Sequence, residues 1–220
     1  MNNNKSNTML ESLQVQVNDL FKASVVSVSI PELNINLYLL DASIEKNQYS
    51  PEQVDSIWGN MPYWAFAWSS GRALAKYILD NPQLVKDKTI CDFGAGSGIV
   101  ALAALNAGAK AAWVCDLDQQ ALLASQLNAI ENGMHVFTCT DVSEVIDLDL
   151  LVVGDVLYDP RNHKLAEHLF SQRLPLIWAE SEAQTKLTHY GPVASYQAQT
   201  YPNLGGFDEH QDIHIYHHKI

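Results

Sequence analysis

Thr89-Ile90-Cys91-Asp92-Phe93-Gly94-Ala95-Gly96-Ser97-Gly98-Ile99 is the stretch on which the fold turns. Thr89 to Cys91 reads as a short strand. It runs into three glycines at alternate positions, and then into Ile99 to Ala107, an apolar helix closed by Gly108. Downstream, Ala111 to Cys115 reads as a strand, Asp118 to Asn132 as a helix stopped by Asn132-Gly133, and Met134 to Thr138 as a strand. Leu148 to Val153 is continuously apolar, as strands buried on both faces are. Asn162 to Phe170 and Glu182 to Tyr190 read as helices flanking a strand at Leu174 to Ala179. Val193 to Thr200 and Ile213 to His218 read as two closing antiparallel strands joined through Pro202 and Gly205-Gly206.

Upstream, Arg72 to Leu79 reads as a helix ended by Asn81-Pro82. Thr8 to Phe21 carries apolar residues at helical spacing, and Ser24 to Ile30 and Leu33 to Leu40 read as a hairpin broken at Pro31-Glu32. Residues 1 to 7 read as a loose tail. Pro51 marks Asp41 to Asn60 as loop with a single helical turn around Glu52 to Trp58. Strand–helix alternation from residue 89 predicts an α/β fold: a Rossmann-like, seven-stranded, mostly parallel sheet with helices on both faces and an antiparallel last strand. An N-terminal helix and β-hairpin precede it. Residues 1–60 form an extension packed on a main domain of residues 61–220.

Composition narrows the function classes. The chain has 220 residues, 47% hydrophobic and 17% charged, enough for one sizeable core. Its net charge of −12 repels phosphate backbones and disfavours nucleic acid as a partner. Three cysteines, an odd number with no C-x-x-C pair, read as reduced, buried thiols of a cytoplasmic protein. Met1 to Thr8 has no apolar signal region, and the most apolar stretch, Gly98 to Cys115, is interrupted by Asn106, Gly108 and Lys110, so no membrane span is expected. His210, His214, His217 and His218 read as solvated edge-strand residues, and no metal is expected. A monomer is the favoured oligomeric state.

Ligands of such sheets bind beyond the carboxyl ends of the strands. Gly94, Gly96 and Gly98 allow a tight turn and close approach of a ligand to the backbone. The dinucleotide fingerprint would place glycine at Ile99, and Asp92 is poor company for a pyrophosphate but good company for an ammonium. S-adenosylmethionine presents such an α-ammonium. Asp116 follows Asp92 by 24 residues, close to the spacing of about 20 at which an acid meets ribose hydroxyls. Asp118 reads as a helix cap or a ligand contact. Asp141 reads either as the acceptor of an adenine amino group or as a turn cap.

Met61-Pro62-Tyr63-Trp64-Ala65-Phe66-Ala67-Trp68-Ser69-Ser70-Gly71 resembles the P-F-W-A-x-x-W-x-G-G segment of a seven-β-strand, class I methyltransferase group. That group includes the lysine methyltransferase of the electron-transfer-flavoprotein β subunit. Leu79 to Pro82, Asp92 to Gly98, Asp116-Leu117-Asp118, and Gly154-Asp155-Val156-Leu157-Tyr158-Asp159 fit it, the last through its D-x-x-Y signature. Ser70 and Gln119 depart from the group's usual Gly and Pro. The resemblance implies binding of S-adenosylmethionine, release of S-adenosylhomocysteine, and methylation of a lysine on a protein such as the flavoprotein β subunit or a ribosomal protein. It puts Trp68 and Gly71 at the methionine end of the cofactor, Leu117 among the cofactor contacts, and Asp155 and Tyr158 at the acceptor. Trp58 and Trp64 read as core. The competing readings are a methyltransferase of a small amine and a non-catalytic cofactor-binding module. A nicotinamide oxidoreductase is disfavoured by Ile99 and Asp92.

Overall fold

A seven-stranded sheet organises the chain, in the order β5-β4-β3-β6-β7-β9-β8. The computed structural model describes residues 2–155, 174–181, 191–203 and 211–220. The strands are β3 (Thr89–Phe93), β4 (Ala111–Cys115), β5 (Phe137–Cys139), β6 (Leu150–Gly154), β7 (Leu176–Ser181), β8 (Ala194–Ala198) and β9 (Gln211–His218). From β5 to β7 all neighbours are parallel, and β9 alone is reversed, inserted between β7 and β8. The strand order reverses beside β3, because β4 lies on one side of it and β6 on the other. A ligand crevice is expected at that point.

Side-chain alternation divides the core in two. Ile90, Val114, Val152 and Ile177 leave one face and pack with α3 (Ser69–Asp80) and α4 (Ile99–Asn106). Cys91, Cys115, Cys139, Leu151, Val153 and Trp178 leave the other.

Ahead of the sheet come α1 (Asn2–Phe21), the antiparallel hairpin β1 (Val25–Ile30) and β2 (Ile35–Leu40), and α2 (Pro51–Gly59). They build a further core in which Leu13, Val17 and Phe21 meet Trp64, Phe66 and the apolar face of α5 (Gln119–Glu131). Asn132 ties hairpin to helix, accepting from Asn36 N at 2.9 Å and donating to Asn36 O at 2.6 Å.

Several expectations need correction. Residues 2–7 belong to α1 and not to a tail, because the polar run contains no glycine or proline to break the helix and Thr8 Oγ1 bonds back to Asn4 O at 3.0 Å. Asp41 to Asn60 is a 3-10 turn at Ala42–Lys46 followed by nine-residue α2. Pro51 starts that helix, where its missing N–H costs nothing, behind a capping box of Ser50 and Gln53. The strand expected from Met134 shrinks to Phe137–Cys139. Trp58 is 40% exposed and not core. β9 is an interior strand, so its histidines are engaged: His217 shares a 2.9 Å hydrogen bond with Tyr77, and His214 a 2.8 Å one with Ser195. The helices expected over residues 162–170 and 182–190, Gly205-Gly206 and His210 lie outside the described residues.

Candidate active site

The turn after β3 is held from below and from the side. Gly94 N donates to Cys115 O at 2.9 Å, so the loop begins against the end of β4. Gly96 has φ +51° and its N–H donates to Asp116 Oδ2 at 3.0 Å. Gly98, the N-cap of α4, has φ +75°, and a Cβ there would stand 2.8 Å from Ser125 Oγ. Both the left-handed backbone and the crowding demand glycine at that position.

Two α5 residues that the sequence reading passed over hold the loop. Ser125 Oγ donates to Gly96 O at 3.1 Å, and Asn128 Nδ2 to Ser97 O at 2.9 Å. Asn128 also accepts from Tyr38 N at 2.6 Å, linking the glycine loop to the N-terminal hairpin. Their signal was available: polar residues three apart on a helix face otherwise made of Ala121, Ala124 and Leu127.

Asp92 lies beneath this loop, 2% exposed, and its Oδ2 accepts from Ala101 N at 3.0 Å. It therefore satisfies a first-turn N–H of α4 that the helix leaves open. Burial pushes its carboxyl up to about 8, against the Ala101 hydrogen bond, with the nearby Asp116 charge adding to the rise. Asp116 stands at the rim, Oδ1 accepting from Asp118 N at 3.0 Å. Burial raises its carboxyl too, opposed by the N–H groups of Asp118 and Gly96. Beside it Leu117 is 86% exposed, an apolar side chain left open to solvent. Asp118 caps α5 by accepting from Gln120 N at 2.8 Å. Asp141 likewise caps a 3-10 turn, accepting from Ser143 N at 2.8 Å, which holds its carboxyl below the usual range.

The aromatic segment closes the other side. A Cβ on Gly96 would lie 3.8 Å from Tyr63 O and 3.9 Å from Trp64 Cα, so Tyr63 and Trp64 run past the loop. Trp68 Nε1 donates to Tyr63 O at 2.8 Å, and its ring leans on Phe66 with centroids 5.3 Å apart. Trp64 is fully buried, its indole N–H donating to Gln16 of α1 at 3.1 Å. A Cβ on Gly71 would meet Ile99 Cγ2 at 3.1 Å, and one on Gly154 would lie 3.9 Å from Gly71 Cα. The first turn of α3, the start of α4 and the end of β6 thus meet at one place. From the far end of the chain, Thr200 Oγ1 accepts from Ser69 N at 3.1 Å and Tyr201 pairs with Ala67.

Asp155 follows β6 directly, with φ +47° and its N–H donating to Ala179 O at 2.8 Å. Aspartate is among the few residues that tolerate this backbone. Tyr158 lies outside the described residues. On the neighbouring strand Glu180 is wholly buried and accepts from Trp178 Nε1 at 2.6 Å. The structure therefore brings Trp68, Gly71, Asp92, Gly94, Gly96, Gly98, Asp116, Leu117 and Asp155 to the carboxyl edge of β3, β4 and β6, with Asp141 beyond the end of β5.

Known proteins resemble this chain in sequence and in fold. Residues 73–170 match the family model described as ribosomal protein L11 methyltransferase (PrmA). The chain is similar to the electron transfer flavoprotein beta subunit lysine methyltransferase of Homo sapiens, 39% identical over 122 residues that make up 53% of this chain and 45% of the relative. The Rattus norvegicus protein of the same name is 37% identical over 123 residues, covering 54% and 47%. The ribosomal protein L11 methyltransferase of Pasteurella multocida is 45% identical over 92 residues, covering 40% and 31%. The chain thus spans less than half the length of these relatives. Among solved structures, a candidate RNA methyltransferase from Pyrococcus horikoshii superposes with a TM-score of 0.52 at 18% identity, over 67% of this chain and 82% of that one. The fold is the class I methyltransferase fold, and the sequence resemblance is to the flavoprotein lysine methyltransferase and L11 methyltransferase groups. Among the described residues no helix is long and apolar enough to cross a membrane.

Proposed function

We propose that the protein is an S-adenosylmethionine-dependent methyltransferase acting on lysine side chains of a protein substrate, and that it works in the cytoplasm. One observation carries the reading. The close approach of Gly71 to Ile99 and Gly154 brings the end of the glycine loop near Asp155, which supports a nucleoside site adjoining an acid at the sheet edge. The flavoprotein and L11 relatives, both named for protein substrates, support the choice of acceptor.

The residues present fit the cofactor. The open backbone at Gly94 and Gly96 admits close approach, Asp116 offers acceptors for ribose hydroxyls, and Leu117 offers an apolar wall for the base. Asp92 lies beneath the loop and supplies negative charge for an ammonium once its raised carboxyl ionises, and Trp68 and Gly71 border the methionine end. When bound, the cofactor supplies an electrophilic methyl on a sulfonium, so the protein's task is positioning and electrostatics. A free lysine titrates near 10.4 and attacks only when neutral. Asp155 binds the arriving ammonium and orients the amine toward the pocket after the proton is lost to water. Tyr158 walls or hydrogen-bonds the amine.

Radiolabelled S-adenosylmethionine, incubated with the protein and an extract lacking it, should yield a protease-sensitive band that fades roughly a hundredfold with Asp155→Ala, about 3 kcal/mol of transition-state stabilisation. Label in small molecules only would move the acceptor to a free amine. Binding of S-adenosylhomocysteine without any transfer would leave a cofactor-binding module.

A further inference from the structure

Cys91, Cys115 and Cys139 sit on three adjacent strands, β3, β4 and β5, and leave the sheet on the same face. Their sulfur atoms all lie within 4.8 Å of one another, and all three are buried, free thiols. Cys139 Sγ also approaches Val114 O at 3.9 Å. Buried cysteines pack as small apolar side chains, and three of them this close also present three convergent soft donors. Such donors suit thiophilic centres. Among the described residues the cluster has these three ligands and no fourth, one short of the closed tetrahedral set of a structural zinc.

Charge narrows the choice further. Leu151, Val153, Leu176 and Trp178 surround the trio with hydrocarbon and indole. Among the described residues, the carboxyl groups of Asp92, Asp116, Asp141 and Glu144 act on the thiols, each disfavouring the thiolate. Three thiolates around a monovalent or divalent ion would leave net negative charge buried among these acids, which is costly. Around a trivalent centre the complex is neutral. We propose that Cys91, Cys115 and Cys139 form a binding site for one trivalent thiophilic centre of the arsenite class. Arsenous acid and three thiols give three As–S bonds and three waters; each S–H proton leaves on a displaced hydroxyl, and no electron changes hands. Entry is easiest by opening of β5, a three-residue strand at the edge of the sheet. The site does not depend on the methyl-transfer reading, and its test does not use activity.

The reduced, full-length protein is mixed with sodium arsenite and its intact mass read under native conditions. The expected product gains one arsenic and loses three hydrogens. Cys91→Ala, Cys115→Ala and Cys139→Ala should each give a two-thiol adduct that keeps a hydroxyl, so that the mass gained on binding exceeds the wild-type gain by one water, with affinity about tenfold lower or more as the intramolecular third ligand is lost. The wild-type chain in denaturant serves as a control that needs no variant to fold, and it should bind arsenite more weakly than the folded chain. An absent wild-type adduct, a wild-type adduct that keeps a hydroxyl, equal binding by folded and denatured chains, or displacement of arsenite by equimolar zinc or cadmium would each overturn the proposal.

Discussion

The ends of β3 and β4 carry the same dipeptide, Cys-Asp, yet the two acids live differently. Phe93 is paired with Cys115 and Asp92 with Val114, so Cys91-Asp92 lies two residues deeper in the sheet than Cys115-Asp116. That offset puts Asp92 under α4, where it caps a backbone N–H. It leaves Asp116 past the end of its strand, where it holds Gly96 and Asp118 by their N–H groups. Register, and not residue type, separates an acid of the scaffold from an acid of the rim.

The contrast can be broken at either end. The largest effect is expected at the rim: Asp116→Ala should weaken S-adenosylhomocysteine binding about a hundredfold, ~3 kcal/mol from lost charge-assisted hydrogen bonds, while the thermal midpoint moves much less. Calorimetric titration with a parallel melt separates the two. Asp92→Leu should do the reverse, costing about 1–3 kcal/mol of stability by stranding Ala101 N in the interior. Denaturant unfolding reads that directly, and an unchanged midpoint would deny the capping role.

Asp92→Asn should keep the cap and change the pH profile. The folded-state carboxyl is raised to about 8 from 3.8, so the folded protein holds this proton longer than the unfolded chain. Stability from Asp92 is fully present below the unfolded value and is lost as pH climbs toward the folded one; above it the loss is complete. The gap between wild type and Asp92→Asn in unfolding free energy should therefore shift in the variant's favour across that window. Homocysteine-nucleoside affinity should move oppositely, rising in the wild type as Asp92 ionises and staying flat in the variant. A parallel pH dependence in both proteins would remove Asp92 from the ammonium's field. The smallest effect is expected at Leu117→Ala: a few-fold loss of cofactor affinity, with stability unchanged because the side chain is already 86% exposed.

Much of the sheet was legible because its signals are local. The strand at Ala111–Cys115 and the helix start at Ile99 stand where periodicity and glycine placement put them. The N-terminal third was read less well. Pro51 on its own reads as a breaker, although the Ser50-x-x-Gln53 box around it announces a helix start. The site was legible in its acids and glycines but not in what holds them. Ser125 and Asn128 lie more than two dozen residues from the loop they support, and Thr200 caps a helix 131 residues away. No local pattern reports such pairs.

The amino-acid sequence by itself determined the strand–helix rhythm, the turn that only glycine fits, and the residue types at the strand ends. These depend on backbone propensity, side-chain period and positive φ, which act within a few residues. Only the tertiary structure decided which Cys-Asp pair reaches the rim, that three cysteines scattered across 49 residues converge on one sheet face, and that α5 braces the glycine loop while β2 holds Asn128 and α1 holds Trp64 beside it. Strand register and long-range packing are settled by the whole core at once, so no single segment carries them.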